Sequence, residues 1–170
     1  LILSMVVNEV WAQNTLDLAG ISSSSPAKVA YSIRRLSTSY TGNLIRVRRS
    51  SDNATQDIGY NAGNHLDTSA LKTFVGAGDG FVTKWYDQSG NANDGIQSTS
   101  GSQPLIVSSG VVVRANGEPA IKFNGSNFID GGSTSYSITS ARSLNAVYTV
   151  QSGTPSMIID RTPASNGLFC

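Results

Sequence analysis

The chain has 170 residues, enough for one domain with a substantial core. Only 14% of them are charged and the net charge is +1, which removes the electrostatic case for a nucleic-acid partner. The 17 glycines, with abundant Ser, Thr and Asn, describe a turn-rich, all-β extracellular protein rather than a helical enzyme.

Residues 1–13, "LILSMVVNEVWAQ", are apolar for most of their length and reach a small residue at Ala12. The segment reads as a truncated signal peptide, which places the protein outside the cell or at its surface. Asn8 and Glu9 interrupt the apolar run, and Leu1 to Val7 would also serve as a first strand. No stretch reaches the ~18–20 apolar residues of a membrane span. Residues 14–25, which include the polar Ser22 to Ser25, are expected to be a linker. Residues 26–170 are expected to form a β-sandwich domain, incomplete at the C-terminus.

Ser25-Pro26 resembles a helix start, a hydroxyl cap followed by proline at the first helical position. Val29, Ile33 and Leu36 recur at helical spacing, so the pattern predicts a short amphipathic helix over 26–37, with Arg34 and Arg35 near its C-terminal end. "LIRVRR", residues 44–49, alternates with a period of two and predicts a strand, followed by a turn at Ser50 to Asn53. Its arginines could grip an anionic ligand, or form ion pairs with nearby Asp on a solvated face. A second helix is expected over 67–75: Asp67 or Thr68 caps it, Leu71, Phe74 and Val75 face inward, and Gly76 ends it. His65 is the one histidine; with no nucleophile elbow in the chain it reads as a capping or surface residue. His and Cys are too few for a zinc site.

From Phe81 onward short apolar runs follow one another: "FVTKWY", "PLIVSSG", "VVVRANG", "PAIKFNG", "YSITS", "LNAVYTV" and "SMIID". Asn116-Gly117 is the strongest hairpin signal. This spacing predicts an antiparallel β-sandwich or jelly roll with two short helices. Cys170, the one cysteine, has no intrachain partner; it is a core thiol, or its partner lies beyond the chain.

The stretch "FVTKWYDQSGNANDG", residues 81–95, carries the candidate chemistry. Strand alternation places Phe81, Thr83 and Trp85 on one face and Val82, Lys84 and Tyr86 on the other. Beyond Tyr86 two readings stand. Asp87, Gln88 and Ser89 can bond neighbouring backbone N–H groups, with Gly90 supplying permissive dihedrals, and so build a turn. Alternatively the loop holds a ligand. Trp85 or Tyr86 would stack on a sugar beside Asp87 and Asn91. Asp87, Asn91, Asn93 and Asp94 offer oxygens suited to calcium, though not at the spacing of a calcium loop. Trp85, Tyr86, Asp87 and Asn91 are therefore the candidate binding residues, with no cofactor assigned. Acid–base carboxylates would come from Asp79, Asp87, Asp94, Glu118, Asp130 and Asp160, but no spacing sets two of them across one cleft.

Three stretches carry a resemblance to a known family: Tyr31 to Asp52, ending in "TGNLIRVRRSSD"; Tyr86 to Asn91, "YDQSGN"; and Asn116 to Ala120, "NGEPA". Over roughly residues 28–150 the chain resembles the N-terminal part of the α-L-arabinofuranosidase B catalytic domain. The resemblance implies a concanavalin A-like, laminin-G-like β-sandwich in a secreted protein that acts on or binds arabinose-containing polysaccharide. The same block resembles domains of secreted bacterial multidomain proteins, which leaves a lectin-like adhesion module as the alternative. Retaining glycosidases need two carboxylates about 5–5.5 Å apart. The resemblance puts that pair downstream of the matched stretches, so it assigns no catalytic residue here. The family's adjacent cysteine pair would fall near Met157 to Asp160, where "SMIID" has none.

Overall fold

The computed structural model describes residues 14–19 and 27–131. Its backbone is all-β and antiparallel, of sandwich type, with two short helices among the described residues. The main sheet contains β1 (Ile45–Arg49), β2 (Thr55–Ile58), β3 (Gly80–Trp85), β4 (Gly95–Ile96), β5 (Leu105–Ser108) and β6 (Val111–Val112). Their order is β2-β1-β3-β5-β6, with β4 also paired to β3. β7 (Arg114–Ala115) and β8 (Glu118–Pro119) form a separate hairpin. Asn116 and Gly117 at its tip take φ of 51° and 86°, the left-handed pair that a two-residue turn demands. The later runs "YSITS", "LNAVYTV" and "SMIID", together with residues 1–13, Asp160 and Cys170, lie outside the described residues.

One face of the sheet carries the hydrophobic core. Ile45, Val47, Val82, Ile106 and Val107 are fully buried there, packed with Leu44, Ile58 and Leu66. Helix α2 (Thr68–Val75) covers this face with Leu71 and Val75. The Asp67 side chain accepts the N–H groups of Ser69 and Ala70, and Gly76, at φ 68°, ends the helix, as the cap residues predict.

The expected helix over 26–37 is not formed. Residues 27–37 run extended, bridged to Asp87 at Tyr31 and to His65 at Arg34. Apolar spacing is a weak local signal that tertiary bonding overrides. Distant groups take the segment's backbone bonds instead. Arg35 N donates to Asn64 O at 2.8 Å, and Gln88 N donates to Ala30 O at 2.8 Å. The other short helix is α1 (Thr15–Leu18), inside the stretch expected to be a linker. Leu16 N donates to Leu36 O at 2.9 Å, and Asp17 accepts from Ser37 Oγ at 2.7 Å and Thr38 N at 2.9 Å.

Strand β3 departs from simple alternation. Arg46 pairs with Lys84 but Val47 pairs with Val82, so Thr83 is an extra residue, a β-bulge. The bulge moves Trp85 to the core face beside Val82, paired with Ile45, and leaves Phe81 with Lys84 and Tyr86 on the other face. The expected grouping of Phe81, Thr83 and Trp85 is thus corrected: a period of two holds only while each residue has one partner.

Candidate functional site

The turn after β3 is built from its own side chains and ties the domain together. Asp87, 5% exposed, accepts Ala30 N at 2.8 Å and Ser89 N at 2.9 Å on one oxygen. The other oxygen accepts Ser89 Oγ at 2.7 Å and Asn93 N at 3.1 Å. Gln88, 4% exposed, accepts Leu36 N at 2.8 Å and donates to Ser32 O at 3.1 Å and Arg34 O at 2.9 Å. Asn91 donates to Ala27 O at 2.8 Å and Lys28 O at 3.2 Å. Gly90 takes φ of 90°, which its missing Cβ allows. This loop therefore does for residues 27–37 what a neighbouring strand or a helix would do.

The other candidate binding residues are divided between the two faces. Trp85 is half-buried against the core, its ring 5.7 Å from that of Tyr31. Tyr86 lies on the opposite, polar face and donates to Asp57 Oδ1 at 2.8 Å. Arg46 forks onto the same carboxylate, Nε to Oδ1 at 2.6 Å and Nη2 to Oδ2 at 2.8 Å. That bond holds the Asp57 carboxyl below its ordinary range and raises the Arg46 guanidinium. Burial, then the bond to Asp57, pushes the Tyr86 hydroxyl up to about 12. Lys84 Nζ sits 3.0 Å from Asp94 Oδ2 and 5.1 Å from the Tyr86 ring centroid, and Asp94 Oδ1 accepts Asp87 N at 3.0 Å. The ion-pair reading of the β1 arginines holds for Arg46 with Asp57 and for Arg49 with Asp52, the latter at 2.7 Å. The Arg46–Asp57 pair was legible in principle, because a hairpin turning at Ser50 to Asn53 brings those two positions opposite each other.

Next to this network the polar face holds an open groove of about 330 Å³. It is lined by Arg46, Arg48 and Thr55, by Thr83 and Lys84, and by Ile96, Gln97, Ser98 and Gln103. The bulge at Thr83 and the buried glutamines shape it. Gln103 Nε2 donates to Gln97 O at 3.0 Å while its Oε1 accepts Arg48 Nε at 2.7 Å. Sequence reading passed over Gln97 and Gln103, since isolated glutamines in a turn-rich stretch carry no signal.

Of the carboxylates considered for acid–base work, Asp79, Asp87 and Asp94 are held by the fold. Asp79 accepts Ser109 N at 2.7 Å, Asp87 and Asp94 accept the donors above, and Glu118 lies exposed, 3.6 Å from His65 Nδ1. Asp130 pairs through its backbone with Ile96. Among the described residues no three His, Cys, Asp or Glu side chains gather as metal ligands, and the oxygens of Asp87 face N–H and O–H donors. No described helix is long and apolar enough to cross a membrane.

Residues 19–157 match the family of α-L-arabinofuranosidase B, catalytic. The chain belongs to that family. It is 40% identical over 82 residues to α-L-arabinofuranosidase B of Emericella nidulans, covering 47% of this chain and 16% of that protein. It is 35% identical over 107 residues to α-L-arabinofuranosidase B of Aspergillus kawachii, covering 56% of this chain and 21% of that protein. The chain thus spans about a fifth or less of the length of these fungal relatives. A solved arabinofuranosidase complexed with arabinofuranosyl-α-1,2-xylobiose is 33% identical, with a TM-score of 0.42, over 46% of this chain and 19% of that one.

Proposed function

We propose that the chain is part of a secreted glycoside hydrolase that releases arabinofuranosyl groups from arabinose-containing polysaccharide. The family match over residues 19–157 carries this reading. In it, the described residues are the structural half of a concanavalin A-like jelly roll. The side-chain bonds of the Asp87 loop hold the 27–37 segment, and the polar face of the sheet is turned to glycan. Tyr86 and Asn91 are the candidate contacts that remain accessible in part, whereas Trp85 and Asp87 act through packing and hydrogen bonding. Catalytic carboxylates are assigned outside residues 14–131, downstream of the matched stretches, as the family resemblance implies.

The test is arabinose release from arabinoxylan and from p-nitrophenyl α-L-arabinofuranoside by the intact protein. Release that persists in an Asp87→Asn variant still folded at the assay temperature supports the reading. Retention on arabinoxylan with turnover no higher than the buffer blank would replace the enzyme with a non-catalytic, lectin-like module.

A further inference from the structure

The groove on the polar face has an unusual charge balance. Among the described residues three cationic side chains line it, Arg46, Arg48 and Lys84, and no carboxylate does. Asp57 and Asp94 offset Arg46 and Lys84 from outside the lining. Arg48 is different. Its Nε donates to Gln103 Oε1 at 2.7 Å and its Nη1 to Asn53 Oδ1 at 2.8 Å, both neutral amides. Its guanidinium lies 4.8 Å from the Phe81 ring centroid. Among the described residues no carboxylate pairs with it and its Nη2 carries no hydrogen bond. Gln103 is 5% exposed and is itself anchored to Gln97 O, so the guanidinium is held in place before any ligand arrives. A preorganised arginine with a free donor matches a carboxylate, and much of the ordering cost is already met.

We propose that this groove binds the carboxylate of an acidic sugar, a uronic-acid unit of a polysaccharide, with Arg48 as the principal contact. The proposal rests on the glycan reading above and deepens it by naming the charge of the ligand. The volume suits one or two sugar rings. Thr55, Thr83 and Ser98 supply hydroxyl groups of the kind that orient sugar hydroxyls, and Ile96 supplies an apolar surface. An uncharged sugar would leave Arg48 without an anionic partner, so the groove favours the acid.

The experiment compares binding of digalacturonic acid and of its methyl ester to the intact protein by calorimetry or NMR. The two probes have the same ring framework and differ in charge. The acid is expected to bind at least tenfold more tightly than the ester, as a charge-assisted bond implies. Raising NaCl from about 50 mM to about 500 mM should weaken the acid alone. Arg48→Gln should remove the preference for the acid and Arg48→Lys should keep part of it. Thr55→Glu, an exposed edge-strand change opposite Arg48 that leaves the Gln103 bond in place, should also remove the preference. Equal binding of acid and ester, or an unchanged preference in folded Thr55→Glu protein, would overturn the proposal. Hydrolysis of p-nitrophenyl α-L-arabinofuranoside tests the enzyme reading separately: acid binding without hydrolysis sinks that reading and leaves this one standing.

Discussion

Asp87 accepts the backbone N–H of Ala30 at 2.8 Å across 57 residues of sequence. One turn carboxylate thereby fastens an extended segment that lacks regular pairing of its own. The same residue closes its own turn through Ser89 and Asn93.

Asp87→Ala should therefore act on stability first. It leaves buried N–H groups without acceptors, a loss of about 2–3 kcal/mol for bonds to a charged group. Urea unfolding would measure it. A calcium-dependent rise in the wild-type melting temperature that this substitution abolishes would show instead that the loop is an ion site.

Gln88 offers a sharper test, because its amide both accepts and donates. Gln88→Glu keeps the acceptor for Leu36 N but turns an oxygen toward the carbonyls of Ser32 and Arg34. Burying that charge without donors should cost more than Gln88→Ala, which should itself cost about 1–3 kcal/mol. Thermal unfolding of the two variants gives the order; the reverse order would mean that the 27–37 segment does not depend on this amide.

Acid should weaken the Arg46–Asp57 pair. The folded Asp57 carboxyl titrates below its unfolded value, chiefly through Arg46. Its contribution is complete above the ordinary value near pH ~4 and is lost as pH falls through the depressed one. The side chains are 42% and 30% exposed, so solvent screening limits the effect. Asp57→Asn should lower stability at neutral pH by about 0.5–1 kcal/mol and flatten the acid limb of a pH–stability curve.

Alkali addresses Tyr86 and Tyr40. Both hydroxyls are pushed up to about 12, in each case chiefly by burial. A folded value above the unfolded one contributes stability below pH ~10 that is lost as pH rises toward the folded value. Ultraviolet titration of the six tyrosines should show a late group, and Tyr86→Phe should remove one member of it. A titration curve unchanged by Tyr86→Phe in its late part would contradict the bond to Asp57.

What the sequence determined by itself is what neighbouring residues decide. Asp67 and Gly76 bound α2 because caps act within a turn of the backbone they satisfy. β1, β3 and β5 are legible as strands from their apolar and β-branched runs, though not the facing of β3, and Asn116-Gly117 turns where left-handed dihedrals are cheap. The tertiary structure alone decided that residues 27–37 are extended, because their backbone partners are Asp87, Gln88 and Asn64, distant in the chain. It alone decided which way Trp85 faces, because a bulge is a count of residues against a partner strand and not a property of one strand. The groove around Arg48 belongs to the same class. Its charge arises from β1 and β3 brought side by side and from where Asp57 and Asp94 were left, and no local pattern records that balance.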